Sequence, residues 1–123
     1  MRGFGELEAV IMDRLWARHG FATVREIHTE LSRGRQIAYT TVLTVMDNLY
    51  RKGWLVREPA GRANRYQPAA SREEYGARLM REALDHSGDP AEALMRFVGR
   101  MTLGEAAALR KALRDYERKL AEE

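Results

Sequence analysis

The 123-residue sequence predicts a mainly α-helical protein with one β-hairpin between its third and fourth helices. Apolar residues recur at helical spacing through most of the chain, which indicates amphipathic helices. One stretch of strand-forming residues folds back around a glycine, which indicates the hairpin. Four Ser/Thr/Asp-x-x-Glu capping boxes mark helix starts. These boxes begin at Thr23, Ser71, Asp89 and Thr102.

The N-terminal part predicts three helices. Helix one runs from about Glu6 to His19, and Gly20 ends it. Helix two begins at the Thr23 box and ends before the break at 32–35. Helix three runs from about Tyr39 to Lys52, followed by a glycine. The short second and third helices with a tight break between them are typical of a helix-turn-helix.

Helix three has two contrasting faces when its residues are placed 100° apart. One is apolar or aromatic, so we expect Tyr50, and Trp54 just beyond the helix, to lie in the core. The other bears short polar groups and one arginine, whereas most exposed helix faces carry Glu and Lys. An Asp47–Arg51 ion pair is expected at i,i+4. The polar members are Thr40, Thr41, Thr44, Asp47, Asn48 and Arg51.

A β-hairpin follows helix three. Trp54–Pro59 and Asn64–Pro68 predict its strands, and Gly61 in the connecting turn can adopt a positive φ. Three helices followed by a hairpin make a winged helix-turn-helix, in which helix three would lie in the major groove of DNA. The hairpin carries Arg57, Arg62 and Arg65.

The C-terminal part predicts three more helices, from Ser71 to about Asp85, from Pro90 to about Arg100 and from Leu103 to about Glu122. Fifty-five residues are near the lower limit for an independent core, so we expect a second copy to cover their apolar faces. The last helix has a heptad-like stripe that either faces that copy or packs within the chain. We therefore expect a winged helix-turn-helix domain over 1–68 and a three-helix dimerisation domain over 69–123.

The composition restricts the class of protein. With 45% hydrophobic and 32% charged residues, and no apolar run near 18 residues, we expect a globular chain without membrane insertion. Met1–Gly5 carries one charge and no apolar stretch, which argues against a signal peptide. The absence of cysteine excludes disulfides, thiolate catalysis and Cys-ligated zinc. It also permits a reducing compartment, so we expect a cytoplasmic protein.

The net charge of +3 is unevenly distributed. Residues 1–68 contain 11 basic and 7 acidic side chains, whereas residues 69–123 contain 10 and 11. Of the 21 basic residues 18 are arginine, which suits bidentate contact with phosphate or base edges, although GC-rich coding would give the same bias. The positive excess of the N-terminal part indicates an anionic partner.

Double-stranded DNA is the partner that this arrangement favours. Threonine offers a hydroxyl to base edges and a methyl to thymine, and wing arginines can reach phosphates or the minor groove. Arg25 is either a phosphate contact or a solvated charge, and Tyr39 either packs in the core or contacts phosphate. The candidate DNA-binding residues are Arg25, Tyr39, Thr40, Thr41, Thr44, Arg51, Arg62 and Arg65.

No catalytic or metal-binding pattern stands out. His28 lies on an apolar stripe, which favours packing, and His19 and His86 lie at predicted helix ends. No two histidines are spaced as metal ligands on one helix face. A glycine-rich phosphate loop and a nucleophile elbow are also missing from the sequence. We therefore expect neither an enzyme nor a bound cofactor or metal.

Several segments together resemble the penicillinase repressor (BlaI/MecI) family. The most specific is Ala38-Tyr39-Thr40-Thr41-Val42-Leu43-Thr44-Val45-Met46. The others are Gly5-Glu6-Leu7-Glu8, Thr23-Val24-Arg25-Glu26-Ile27, Arg51-Lys52-Gly53, and Gly61-Arg62 with Arg65-Tyr66. The resemblance implies a homodimeric transcriptional repressor that binds palindromic operators, typically with TACA/TGTA half-sites, upstream of β-lactamase or related genes.

The resemblance also implies roles for the C-terminal helices. They would interlock in the dimer, and a membrane receptor that senses β-lactam would trigger their proteolysis. Leu94-Met95-Arg96-Phe97-Val98 aligns with the cleaved stretch, with Arg96 in place of the Asn that precedes the cut in staphylococcal members. The candidate cleavage site is thus Arg96–Phe97. The candidate dimerisation residues are Leu94, Phe97, Val98, Leu109, Leu113, Tyr116 and Leu120.

Two other functions remain open at this point. A winged helix can serve as a protein-contact module, although the threonine face and the arginine-bearing wing argue against that use. The chain could also be a regulator that senses a small molecule. Apolar ligand pockets leave no motif, so the sequence argues only weakly against this alternative.

Overall fold

The computed structural model describes residues 3–123, which form six helices and three short strands. The mainly α-helical winged-helix fold is therefore confirmed. Residues 1 and 2, part of the segment considered for a signal peptide and of the predicted 1–68 domain, lie outside the described residues. In chain order the elements are α1 Glu6–Ala17, β1 Ala22–Thr23, α2 Val24–Ser32, α3 Tyr39–Arg51, β2 Leu55–Ala60, β3 Ala63–Pro68, α4 Arg72–Asp85, α5 Pro90–Val98 and α6 Leu103–Ala121.

The sheet contains a strand that the sequence did not predict. Strand β1 pairs antiparallel with β3, so the strand order is β1-β3-β2. Thr23 lies opposite Arg65 and also caps α2, where its hydroxyl accepts a hydrogen bond from the Glu26 N–H. Two residues are too few to show an alternating pattern. This short strand ties the hairpin to the start of the helix-turn-helix.

Helix ends agree with the predictions to within about two residues. Helix α1 ends at Ala17 rather than His19, and α5 ends at Val98 rather than Arg100. Terminal turns fray, so local sequence signals do not fix the last residue. The reciprocal capping boxes at Thr23 and Thr102 form as expected.

The chain divides into two compact units, Met1–Leu79 and Met80–Glu123, here called the first and second units. The first unit holds a core built from α1, α2, α3 and the sheet, with a predicted core residue, Trp54, among its members. Full burial of such side chains contributes roughly 1.5–3 kcal/mol each. The buried residues are Ile11, Met12, Leu15, Ala22, Val24, Ile27, Leu31, Val42, Met46, Leu49, Trp54, Leu55 and Tyr66.

An aromatic cluster of Phe4, Trp16, Trp54 and Tyr75 adjoins this core. The Phe4 and Tyr75 rings stack with centroids 4.1 Å apart, and Trp54 meets Tyr75 edge-on at 4.9 Å. The Phe4 N–H donates to the Tyr75 hydroxyl at 2.7 Å, and the Trp16 indole N–H donates to the Ala70 carbonyl at 2.9 Å. The start of α4 thus packs as part of the first unit, beyond the predicted boundary at residue 68.

The second unit has no buried side chain in residues 80–123, all of which the structure describes. Its helices are amphipathic and well capped, yet their large apolar side chains face outward. None of the helices in the described part of the chain is long and apolar enough to span a membrane. The exposed apolar residues are Met80, Leu94, Met95, Phe97, Val98, Leu103, Leu113, Tyr116 and Leu120.

Candidate nucleic-acid interface

The polar face of α3, defined here as Thr40, Thr41, Thr44, Asn48 and Arg51, is exposed along the length of the helix. Three residues on the opposite side anchor the helix in the core, which fixes this orientation. They are Val42, Met46 and Leu49, each 0% exposed. Threonine side chains are short, so a partner surface can approach the helix closely.

Asp47 is the one acidic residue on α3, and two arginines neutralise it. Arg51 Nη2 lies 2.8 Å from Asp47 Oδ2, which confirms the expected i,i+4 pair. Arg57 Nη1 on β2 lies 3.4 Å from Asp47 Oδ1. The second contact was not predicted, because it depends on where the hairpin packs. Together the two pairs offset part of the charge that would repel a phosphate backbone.

Tyr50 does not lie in the core, and that expectation was wrong. It is 36% exposed, and the guanidinium of Arg57 lies 4.0 Å from its ring centroid. The buried arc of α3 is narrower than the apolar arc of its sequence, so Tyr50 falls at its edge. A hydrogen bond with Tyr66 raises the pKa of Arg57, and the nearby Asp47 acts in the same direction.

Tyr39 begins α3 and is 38% exposed, so it is not a core residue. Its ring meets His28 edge-on at 5.8 Å, and the Arg25 guanidinium lies 5.9 Å from its centroid. Arg25 and Tyr39 therefore form one exposed group where α2 and α3 begin. Contact of either residue with DNA remains a prediction.

His28 closes the turn between α2 and α3. Its Nε2 lies 2.8 Å from the Ile37 carbonyl oxygen and 3.3 Å from the Ser32 hydroxyl. A carbonyl only accepts hydrogen bonds, so Nε2 carries the hydrogen in this contact. Over residues 3–123 no group of His, Cys, Asp or Glu side chains could hold a metal ion.

Arg62 and Arg65 of the wing differ in their surroundings. Arg62 lies in the turn beside Gly61, whose φ is +68°, and it has no ion pair or hydrogen bond within residues 3–123. Arg65 instead pairs with Glu58, which lies opposite it in the β2–β3 register. Its guanidinium also lies 5.1 Å from the Phe21 ring centroid. Arg62 is thus the freer cation of the two.

The structure adds three residues that the sequence reasoning missed. Arg33 and Arg35 are exposed between α2 and α3, and neither has an acidic partner among the described side chains. The available sequence signal was Gly34 flanked by two arginines, since the acid before them, Glu30, pairs with Arg18 only in the folded chain. Leu43 was assigned to the apolar face but is 40% exposed beside Thr40 and Thr44. There it could meet a thymine methyl group.

The ion pairs of the first unit show which positive charges are left for a ligand. Arg18 pairs with Glu26 at 2.9 Å and with Glu30 at 2.8 Å. Arg72 pairs with Asp13 at 3.2 Å. Around α2, the α2–α3 turn and the wing, four arginines have no such partner among the described residues. They are Arg25, Arg33, Arg35 and Arg62.

The predicted dimerisation residues lie on α5 and α6 of the second unit. Six of them are exposed, and Leu109 is half-buried. Arg96 and Phe97, the predicted cleavage site, lie within the helical span of α5. Arg96 pairs with Glu92 at 2.9 Å.

The family model described as "Penicillinase repressor" matches residues 4–115 of the chain. The chain is also 44% identical over 116 residues to "Transcriptional regulator BlaI" of Mycobacterium tuberculosis, from both strain CDC 1551 / Oshkosh and strain H37Rv. The match covers 92% of this chain and 84% of each relative.

Two solved structures have lower sequence identity to this chain than the BlaI relatives have. A mutant form of Lactococcus lactis ZitR is 16% identical with a TM-score of 0.41, over 92% of this chain and 72% of that one. A MarR-like transcriptional regulator from Thermotoga maritima is 18% identical with a TM-score of 0.43, over 98% and 79%. The family assignment therefore rests on the family model and the BlaI relatives.

Proposed function

The chain belongs to the penicillinase repressor family, and from this premise we propose that it represses transcription as a homodimer bound to a palindromic operator. It is a DNA-binding transcriptional regulator and not an enzyme.

The observation that carries the proposal is the polar face of α3. Its three threonines are exposed, and the one acid on the helix is neutralised by Arg51 and Arg57. In this proposal Thr40, Thr41 and Thr44 face base edges in the major groove, and Arg51 contacts a base or phosphate.

The surrounding cations then supply sequence-independent affinity. Phosphates on either side of the groove would be contacted by Arg25 with Tyr39, by the α2–α3 turn and by Arg62. Arg65 would have to share its guanidinium between Glu58 and DNA. We therefore expect Arg65 to contribute less than Arg62.

The exposed apolar faces of α5 and α6 support a homodimer. A second copy would bury Leu94, Phe97, Val98, Leu113, Tyr116 and Leu120, which water covers in a single chain. Isologous pairing of this kind matches a two-fold palindrome, with half-sites spaced by turns of the DNA helix.

Release would follow from loss of the dimer. Proteolysis at Arg96–Phe97 by a regulatory membrane protease, as the family resemblance implies, would sever α6 from the rest of the chain. A single winged helix-turn-helix domain makes half of the phosphate contacts of the dimer, so its affinity for the operator is lower. The genes controlled would include those for antibiotic resistance.

Selection from a randomised pool of DNA duplexes tests the proposal. The full-length chain should enrich an inverted repeat, which footprinting should show protected over both halves. Enrichment of a single unrepeated site would contradict the palindrome. Enrichment of no sequence would contradict operator binding altogether and favour a protein-contact module.

Two substitutions separate base reading from phosphate contact. Thr44→Ala should reduce the preference for the selected duplex over a scrambled one by about 1 kcal/mol, roughly fivefold. Arg62→Ala should weaken binding to both duplexes equally and reduce the salt slope by about one unit. Fluorescence titration at several salt concentrations measures both effects. Equal loss on both duplexes for Thr44→Ala would restrict Thr44 to phosphate contact.

A further inference from the structure

We propose that Asp47 is a positioning residue for DNA recognition: it orients Arg51 on the polar face of α3 and is itself held in place by Arg57 of the wing. The inference rests on the proposed function and deepens it, because it concerns how the same surface distinguishes one DNA sequence from another.

The two oxygens of Asp47 have separate partners. Oδ2 lies 2.8 Å from Arg51 Nη2, and Oδ1 lies 3.4 Å from Arg57 Nη1. The Asp47 side chain is 28% exposed, whereas that of Arg51 is 73% exposed. The carboxylate is therefore the sheltered end of the pair, and the guanidinium is the end that a ligand can reach.

Arg57 is a firm anchor for this carboxylate. Its guanidinium lies 4.0 Å from the Tyr50 ring centroid, and the Tyr66 side chain raises its pKa. Tyr66 is 2% exposed and lies directly opposite Arg57 in the β2–β3 register. A cation stacked on one ring and paired with Asp47 has little freedom to move. The wing strand thus fixes the Asp47 side chain on α3.

Fixing Asp47 and Arg51 affects binding in three ways. An unrestrained arginine loses rotamer entropy when it is immobilised, and pairing with Asp47 removes part of that loss before DNA arrives. The N–H donors of Arg51 that face away from Asp47 stay free for a guanine edge or a phosphate. The carboxylate also repels phosphates when Arg51 is badly placed. Asp47 should therefore improve selectivity at the expense of general affinity.

This mechanism predicts effects of opposite sign on two duplexes. In the full-length chain, Asp47→Asn should raise affinity for a scrambled duplex about twofold, because a negative charge near phosphate is lost. Affinity for the duplex selected from the random pool should fall about fivefold, since Arg51 is no longer oriented. The ratio of the two affinities should drop about tenfold.

Asp13→Asn is the matched control. Asp13 on α1 also pairs with an arginine, Arg72, at 3.2 Å, so the substitution makes the same change in charge and also breaks one ion pair. It should change affinity for both duplexes by the same factor. A background of Arg51→Ala is the second control, in which Asp47→Asn should alter the ratio by less than twofold.

Arg57→Lys keeps the test decisive if Asp47→Asn destabilises the fold. Lysine retains the charge but loses the planar stacking on Tyr50, so the ratio should fall about threefold. An affinity ratio that survives both substitutions, or equal losses on both duplexes, would overturn the inference alone. A wild-type chain with no preference for any selected duplex would overturn the proposed function first.

Discussion

The two units of the molecule use similar helices but place their apolar side chains differently. In the first unit eight apolar side chains are fully buried, among them Ile11, Met46 and Leu49. Residues 80–123, all described by the structure, bury none. Phe97 and Leu113 of the second unit remain about half exposed, at 49% and 50%.

Local helix signals do not account for this difference. Each unit has a reciprocal capping box, at Thr23–Glu26 in the first and Thr102–Glu105 in the second. Such boxes stabilise a helix end by about 1 kcal/mol wherever the helix lies. What differs is the presence of a partner surface within the same chain. The stability of the second unit should therefore depend on protein concentration, whereas that of the first should not.

The largest effect is expected from charges placed on the apolar stripe of α6, which Leu109, Leu113, Tyr116 and Leu120 form. Leu113→Asp with Leu120→Asp should yield a monomer in analytical ultracentrifugation, because two buried carboxylates would face their copies across the proposed interface. Affinity for the selected duplex should fall roughly 100-fold, because the second DNA-binding domain of the dimer is lost. Ala107→Asp with Lys111→Asp places the same residues off the stripe and should leave the dimer intact. A dimer that persists in the first variant would contradict the assignment of α6.

A cavity in the first unit should instead act at every protein concentration. Leu49 is 0% exposed, so Leu49→Ala should lower the free energy of unfolding by about 2–5 kcal/mol. Leu120→Ala removes the same atoms from a side chain that is 49% exposed in the single chain. Its effect should shrink as protein is diluted, because wild type and variant then both lose the stabilisation that the dimer supplies. Urea unfolding over a hundredfold range of protein concentration distinguishes the two variants. The same concentration dependence for Leu49→Ala and Leu120→Ala would contradict the difference between the two units.

The sequence predicted the helices because their signals are local. Capping boxes and helical periodicity lie within one turn of the residues that they organise. Strand β1 was missed since its two residues are defined only by pairing with β3, more than 40 residues later. The contact between Tyr50 and Arg57 was missed for a similar reason, because Arg57 lies on β2.

For the polar face of α3, the sequence likewise predicted the features that depend on helix periodicity but not those that depend on packing. The exposure of Thr40, Thr41 and Thr44 follows from the helix period alone. The helical wheel put Leu43 on the inner face, whereas the core covers a narrower arc around Val42 and Met46. A sequence shows the total width of an apolar face but not how much of it the neighbouring helices cover.

The pairing of charges was least visible in the sequence. The Arg65–Glu58 pair follows from the strand register, which the hairpin turn sets, and the Asp47–Arg57 pair follows from packing of the wing on α3. The availability of each arginine for DNA could therefore not be ranked from the sequence.

A smaller effect would show how far the first unit extends along α4. Tyr75→Phe removes the hydroxyl that accepts the Phe4 N–H, so the free energy of unfolding should fall by about 0.5–1.5 kcal/mol. Tyr116→Phe makes the same change in the second unit, where the side chain is 61% exposed and has no hydrogen bond within residues 3–123. It should have no effect on unfolding of the first unit. Equal stability of wild type and Tyr75→Phe in thermal unfolding would contradict the inclusion of the start of α4 in the first unit.

The smallest effect concerns acid stability at the start of α2. The Thr23 N–H bond lowers the pKa of Glu26 against a smaller opposing effect of burial, and Arg18 lowers it further. A folded-state pKa below the ordinary value of 4.5 stabilises the fold above that pH, and the contribution is lost as pH falls through the folded-state pKa. Glu26→Gln should cost about 0.5 kcal/mol at pH 7, because solvent screens these exposed groups. Urea unfolding at pH 7 and pH 3 should show this difference shrinking in acid, and a difference independent of pH would assign the effect to helix capping alone.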